Sequence, residues 1–136
     1  MRLSDQSGAD GRPLEKAVQA QVVSVFRVHG CRVYSTSQYR ASHVAEGFPD
    51  LYVMHPIAGS WWFEVKRPKR SSSFDRWKME TWEPEPLSPK QVAFRTSCHG
   101  CGVRHAWGGY REAVTLLQSL GIWRGIGPDN ATRRTG

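Results

Sequence analysis

Two carboxylates and a lysine stand out by type and spacing: Asp50, closing Gly47-Phe48-Pro49-Asp50, and Glu64 and Lys66, in Glu64-Val65-Lys66. Carboxylates gathered on a mostly apolar sheet lose solvation and repel one another unless a cation or a function offsets that cost. Both are hard oxygen donors, the kind a divalent cation such as Mg²⁺ prefers. The trio is therefore a candidate divalent-metal site, provided the chain folds so that the three meet.

Two short strands do the positioning. Leu51-Tyr52-Val53 and Trp61-Trp62-Phe63-Glu64-Val65-Lys66 flank His55-Pro56-Ile57-Ala58-Gly59-Ser60, a Pro/Gly turn. Side chains alternate along a strand, so Trp61, Phe63 and Val65 point one way and Glu64 and Lys66 the other. A hairpin centred near Ile57–Ala58 pairs residues whose numbers sum to about 115, which puts Asp50 opposite or beside Glu64.

Around this hairpin the chain reads α-β-β-β-(long loop)-α-β-α, a small mixed sheet flanked by helices. Leu14, Val18, Val22, Val25 and Phe26 recur at helical spacing to about His29, with Gly30 as the stop. Asp10 or Gly11 is the expected cap, with Pro13 in the first turn. On periodicity alone, Glu15 is an acid favoured by the helix N-terminus. Cys31 to Thr36 is a first strand, and Ser37 to Glu46 a polar loop over the strand ends. Ser88-Pro89-Lys90-Gln91 opens a helix, with Ser88 as N-cap, Pro89 at the first position and Gln91 closing a capping box. Gly102 to Trp107 reads as a further strand and Tyr110 to Leu120 as a last amphipathic helix, stopped by Gly121.

Composition sets the outer bounds. The chain has 136 residues, enough for one domain with a sizeable core. We expect a flexible lead over 1–11, a domain over 12–121 with a loop insertion at 67–86, and a basic flexible tail over 122–136. A net charge of +7 favours a polyanionic partner, nucleic acid before membrane. No stretch is apolar for long enough to span a bilayer, and the N-terminus lacks the apolar segment of a secretory signal. Three cysteines, an odd number, point to a reducing cytoplasm rather than a disulfide scaffold.

Laid out this way, the chain resembles the PD-(D/E)xK nuclease superfamily, and more closely its virus-type replication-repair nuclease (VRR-NUC) family. Glu15 in the first helix, Gly47-Phe48-Pro49-Asp50, Glu64-Val65-Lys66 and Gln91 carry the likeness, which runs from about Leu14 to Leu117. Each short string alone is nearly worthless; their order, strand context, the 13-residue gap between Asp50 and Glu64 and the capped glutamine helix are specific together. The resemblance implies a single restriction-endonuclease-like α/β domain that hydrolyses phosphodiester bonds in DNA with Mg²⁺ or Mn²⁺. It implies that Asp50 and Glu64 hold the metal, with the Val65 carbonyl as a further ligand and Glu15 reaching in directly or through water. It further implies that Lys66 orients the attacking water or offsets charge on the phosphate, and that Gln91 contacts the lysine or that water. Free-standing members resemble phage or mobile-element proteins acting on branched or flapped DNA. To cover both strands of a junction a chain this small needs a homodimer. An exonuclease or restriction-type endonuclease is the nearest alternative, and a basic DNA-binding module the non-enzymatic one.

Other residues compete for roles. The insertion carries Lys69, Arg70, Arg76, Trp77, Lys78 and Trp82, basic residues interleaved with aromatics, which suits either a flap against a phosphate backbone or a solvated loop with docked tryptophans. Arg40 and His43, just before the Gly47 turn, are candidate phosphate contacts. Cys98-His99-Gly100-Cys101 is half a zinc site, with His105 and Cys31 as possible completing ligands, but no second close pair exists. Tyr34, Tyr39 and Trp107 read as core or rim aromatics rather than base-stacking platforms.

Overall fold

Among the described residues, three helices and one four-stranded sheet form the regular structure: α1 (Glu15–Val28), β1 (Arg32–Ser35), β2 (Leu51–His55), β3 (Gly59–Val65), α2 (Pro89–Gly100), β4 (His105–Gly108) and α3 (Tyr110–Ser119). The computed structural model describes residues 12–36, 47–69 and 83–125. The expectations for the 1–11 lead, Arg40, His43, Tyr39, Arg70, Arg76, Trp77, Lys78 and Trp82 lie outside the described residues.

The sheet runs β1-β2-β3-β4. β1, β2 and β3 form an antiparallel meander, and β4 pairs in parallel with β3. A parallel neighbour needs a crossover, and α2 lies in it. The hairpin pairs Leu51 with Phe63 and Val53 with Trp61, one residue short of the expected sum. Extended by one step, that register sets Asp50 directly opposite Glu64.

Period-two alternation divides β3 as its sequence dictates. Trp61, Phe63 and Val65 are buried in the main core with Val22, Val25, Phe26, Leu51 and Leu117. Phe26 meets Trp61 and Phe63 edge-on, with centroids 5.7 and 5.3 Å away. α1 and α3 cover this face. The opposite face carries Tyr52, Trp62 and Glu64, and α2 covers part of it through Phe94, whose ring lies 5.9 Å from Trp62.

Each helix stops by the same device. After α1, Gly30 N–H donates to the Arg27 carbonyl and Cys31 N–H to Phe26, the paired bonds of a Schellman motif. Gly102 and Val103 repeat this after α2, and Gly121 and Ile122 after α3. The glycine of each motif has a φ between 73° and 85°, a conformation costly for any side chain.

Several boundaries differ from expectation: the hairpin strands extend to His55 and from Gly59, and β4 begins at His105 rather than Gly102. α1 begins at Glu15 with Leu14 as its cap and no side-chain capping bond, so Pro13 precedes the helix instead of lying in its first turn. Arg67 explains this: its Nε–H donates to the Pro13 carbonyl at 2.7 Å, drawing that segment toward the end of β3. The tail also begins later than residue 122. Ile122 and Trp123 pack against the core, and Trp123 stacks on His29 with centroids 4.6 Å apart.

Candidate active site

A cavity of about 350 Å³ opens at the end of β3, lined by Glu15, Asp50, Glu64, Val65, Lys66, Arg67, Glu85, Pro86 and Gln91. The described residues hold six carboxylates, Glu15, Asp50, Glu64, Glu83, Glu85 and Glu112, and four of them line this one space. In a chain of net charge +7, that concentration is not a property of composition.

Asp50 sits just before β2 and is 5% exposed. Its Oδ2 accepts from the Val65 N–H at 2.9 Å, which ties it to the strand carrying Glu64. Its main chain is fixed from the other side: Thr36 N–H donates to the Asp50 carbonyl at 2.9 Å. The Thr36 hydroxyl donates to the Pro49 carbonyl at 2.6 Å, with the Asp50 carbonyl a second acceptor at 3.2 Å. Gly47 lets the loop approach α2. Its φ is 87°, and a Cβ there would overlap the Lys90 carbonyl.

Glu64 is 2% exposed, and its Oε1 accepts from the Gln91 side-chain amide at 2.7 Å. The other end of that amide accepts from the Ser88 N–H at 2.8 Å, while the Gln91 N–H donates to the Ser88 hydroxyl at 3.3 Å. The capping box and the contact with the cavity are thus the two ends of one side chain. Gln91 touches Glu64, and its own orientation is set by the helix start. Lys66 follows β3, its N–H donating to the Gly108 carbonyl at 2.9 Å.

Sequence reasoning missed the opposite wall. Beyond Lys66, Pro68 and Pro84 form an antiparallel bridge, with Lys69 N–H donating to Glu83 and Glu85 N–H to Arg67. Arg12 Nη1 donates to the Pro68 carbonyl at 3.0 Å and lies 3.6 Å from the Glu85 carboxylate. Arg67, Arg12 and Glu85 therefore join three distant segments at the cavity rim. Nothing local in the sequence marks this; only Arg67 hints at it, by following Lys66. Lys69, the one predicted nucleic-acid contact within the described residues of the insertion, is exposed at this rim.

The donor set suits a hard cation. Among the described residues that line it, the cavity offers carboxylates, an amide and main chain, and no sulfur or imidazole. Among the described residues, no three histidine, cysteine, aspartate or glutamate side chains form a ready-made cage. The same observation leaves Cys98 and Cys101 without a third ligand beside them. Burial pushes the Cys31 thiol up to about 11, against a smaller lowering by Arg124. Burial, then Cys101, raises Cys98, with Arg95 opposing. Thiols held in the protonated form are poor nucleophiles.

Neither protein-family models nor curated protein sequences gave a match. Among solved structures, a chain described as a VRR_NUC domain superposes with a TM-score of 0.54 at 23% identity, covering 77% of this chain and 94% of that one. The protein is thus a small α/β domain with a mixed four-stranded sheet, sharing the fold of a VRR_NUC domain.

Proposed function

We propose that the protein is a VRR-NUC-type nuclease that hydrolyses DNA phosphodiester bonds with Mg²⁺ or Mn²⁺, acting on branched, flapped or junction DNA. One observation carries the reading. Asp50, Glu64, Lys66, Glu15 and Gln91, distant in sequence, line a single cavity in a fold shared with a VRR_NUC domain.

In this reading Asp50 and Glu64 hold the cation, with the Val65 carbonyl and Glu15 completing the protein's share. When bound, the ion supplies a Lewis acid for the phosphate and lowers the pKa of a bound water. The chain does the rest. The Val65 N–H keeps one Asp50 oxygen oriented, and the Gln91 amide does the same for Glu64, so neither carboxylate must reorganise when substrate arrives. Lys66, beside them, donates to the oxygen on which charge grows or to the attacking water. The chain's cationic surplus draws in the polyanion. Two copies would present two such cavities to a junction, and a homodimer belongs to the proposal.

The test incubates linear, nicked, flapped and four-way DNA with Mg²⁺, using wild type and Glu64→Ala. We expect cleavage of the branched forms by wild type and none by the variant. Loss of every cut with binding retained would make the protein a DNA-binding module; a preference for linear ends would make it an exonuclease.

A further inference from the structure

The sheet face that carries Glu64 does not end at the cavity. Tyr34 of β1 pairs with Tyr52 of β2, and Tyr52 with Trp62 of β3, so the three rings form one cross-strand row. Strands lie about 4.8 Å apart, which lets neighbouring rings touch. The Tyr52 and Trp62 centroids are 4.6 Å apart, and Phe48, from the Gly47–Asp50 turn, meets Trp62 edge-on at 4.8 Å. α2 covers the Trp62 end through Phe94 and stops there. At the far end Tyr34 is 50% exposed, the one aromatic among the large apolar side chains left exposed in the described residues. Glu64 lies on this same face two residues beyond Trp62, about 7 Å along the strand.

Charge distinguishes the possible occupants. Among the described residues, β1 and β2 contain no carboxylate, and Arg32 stands exposed on this face two residues before Tyr34. Among the described residues, the acids nearest this face, Asp50 and Glu64, line the cavity. An aromatic row with a cation at one end and the candidate metal site at the other matches an alternation of base and phosphate. We infer that Tyr34, with Tyr52 and Trp62 behind it, is a stacking platform for an unpaired nucleobase of the strand whose phosphate is held in the cavity. Its 50% exposure places Tyr34 at the rim rather than in the core, and the platform would give that rim position a role. It rests on the nuclease reading and adds a substrate feature: the strand entering this face has unstacked bases. Stacking on protein rings is sequence-tolerant because every base has a π face.

Tyr34 is exposed, so replacing it leaves the core intact. Fluorescence anisotropy with Ca²⁺ in place of Mg²⁺ compares a short oligothymidylate with an abasic strand of equal length, for wild type, Tyr34→Ala and Tyr34→Phe. Wild type should bind the base-bearing strand roughly 10-fold more tightly, and Tyr34→Ala should lose most of that preference while its abasic affinity stays unchanged. Tyr34→Phe, which keeps the ring, should retain it. Equal affinity of wild type for both strands overturns the platform. A base preference untouched by Tyr34→Ala also overturns it, and loss of a dimer in that variant's light scattering would then assign the ring to contact with a second copy. An absence of cleavage on every DNA defeats the nuclease reading instead, and that result is separate from either binding outcome.

Discussion

Gln91 concentrates the residue-scale argument, because one amide serves the start of α2 and the carboxylate in the cavity. Two substitutions separate these duties. Gln91→Ala should weaken Mn²⁺ binding by roughly 10- to 100-fold, the usual cost of removing a group that orients a metal ligand. Ser88→Ala should lower stability by about 1 kcal/mol through the lost cap and leave Mn²⁺ affinity near wild type. Calorimetric Mn²⁺ titration beside thermal melting reads both, and equal loss of metal affinity in the two variants would refute the division. The cap itself was legible in Ser88-Pro89-Lys90-Gln91. The second bond was not, because it depends on where α2 settles against β3, and a local pattern carries no such information. Thr36 and Glu85 escaped for the same reason: their partners lie more than a dozen residues away.

At the scale of elements, alternation and helical periodicity gave the sheet's inner face, the hairpin and the order of all seven elements. Boundaries were less legible. The start of α1 is set by Arg67 gripping Pro13 from 54 residues away, against a capping signal that pointed further upstream. The Gly47–Asp50 turn shows how an element junction controls the site. Gly47 combines a positive φ with backbone packed against the first turn of α2. Gly47→Ala should therefore cost about 2 kcal/mol or more, from backbone strain and overlap together. Chemical denaturation measures this, and a change below about 0.5 kcal/mol, the range of ordinary surface substitutions, would show that the turn yields.

The whole molecule has a built-in response to acid. His105, 6% exposed, has its pKa lowered from 6.5 to about 4, by burial first and then by Arg95 and His99. Arg95 donates to His105 Nδ1 at 3.1 Å, so the imidazole is neutral with its proton on Nε2. A folded pKa below the unfolded one means that the unfolded chain takes up the proton first. Stability is therefore complete above about pH 6.5 and falls as the pH drops toward 4. The loss from this one group reaches roughly 3 kcal/mol. Urea unfolding across that window should show the slope, and His105→Gln should flatten it. An unchanged slope in the variant would place the acid sensitivity elsewhere.

The bridge between Pro68 and Pro84 has a consequence for engineering. Because Lys69 and Glu83 are hydrogen-bonded, the two ends that flank residues 70–82 are held together. Closing such a loop costs little that depends on its length, about 0.6 kcal/mol per doubling. We predict that the junction acts as a docking port, at which a tight Asn-Gly turn or a foreign recognition loop can replace the intervening segment with Lys66 and Glu85 kept in place. Melting of an Asn-Gly replacement within about 1 kcal/mol of wild type would establish it as a tolerant insertion site, and a larger loss would show that the segment supports the body.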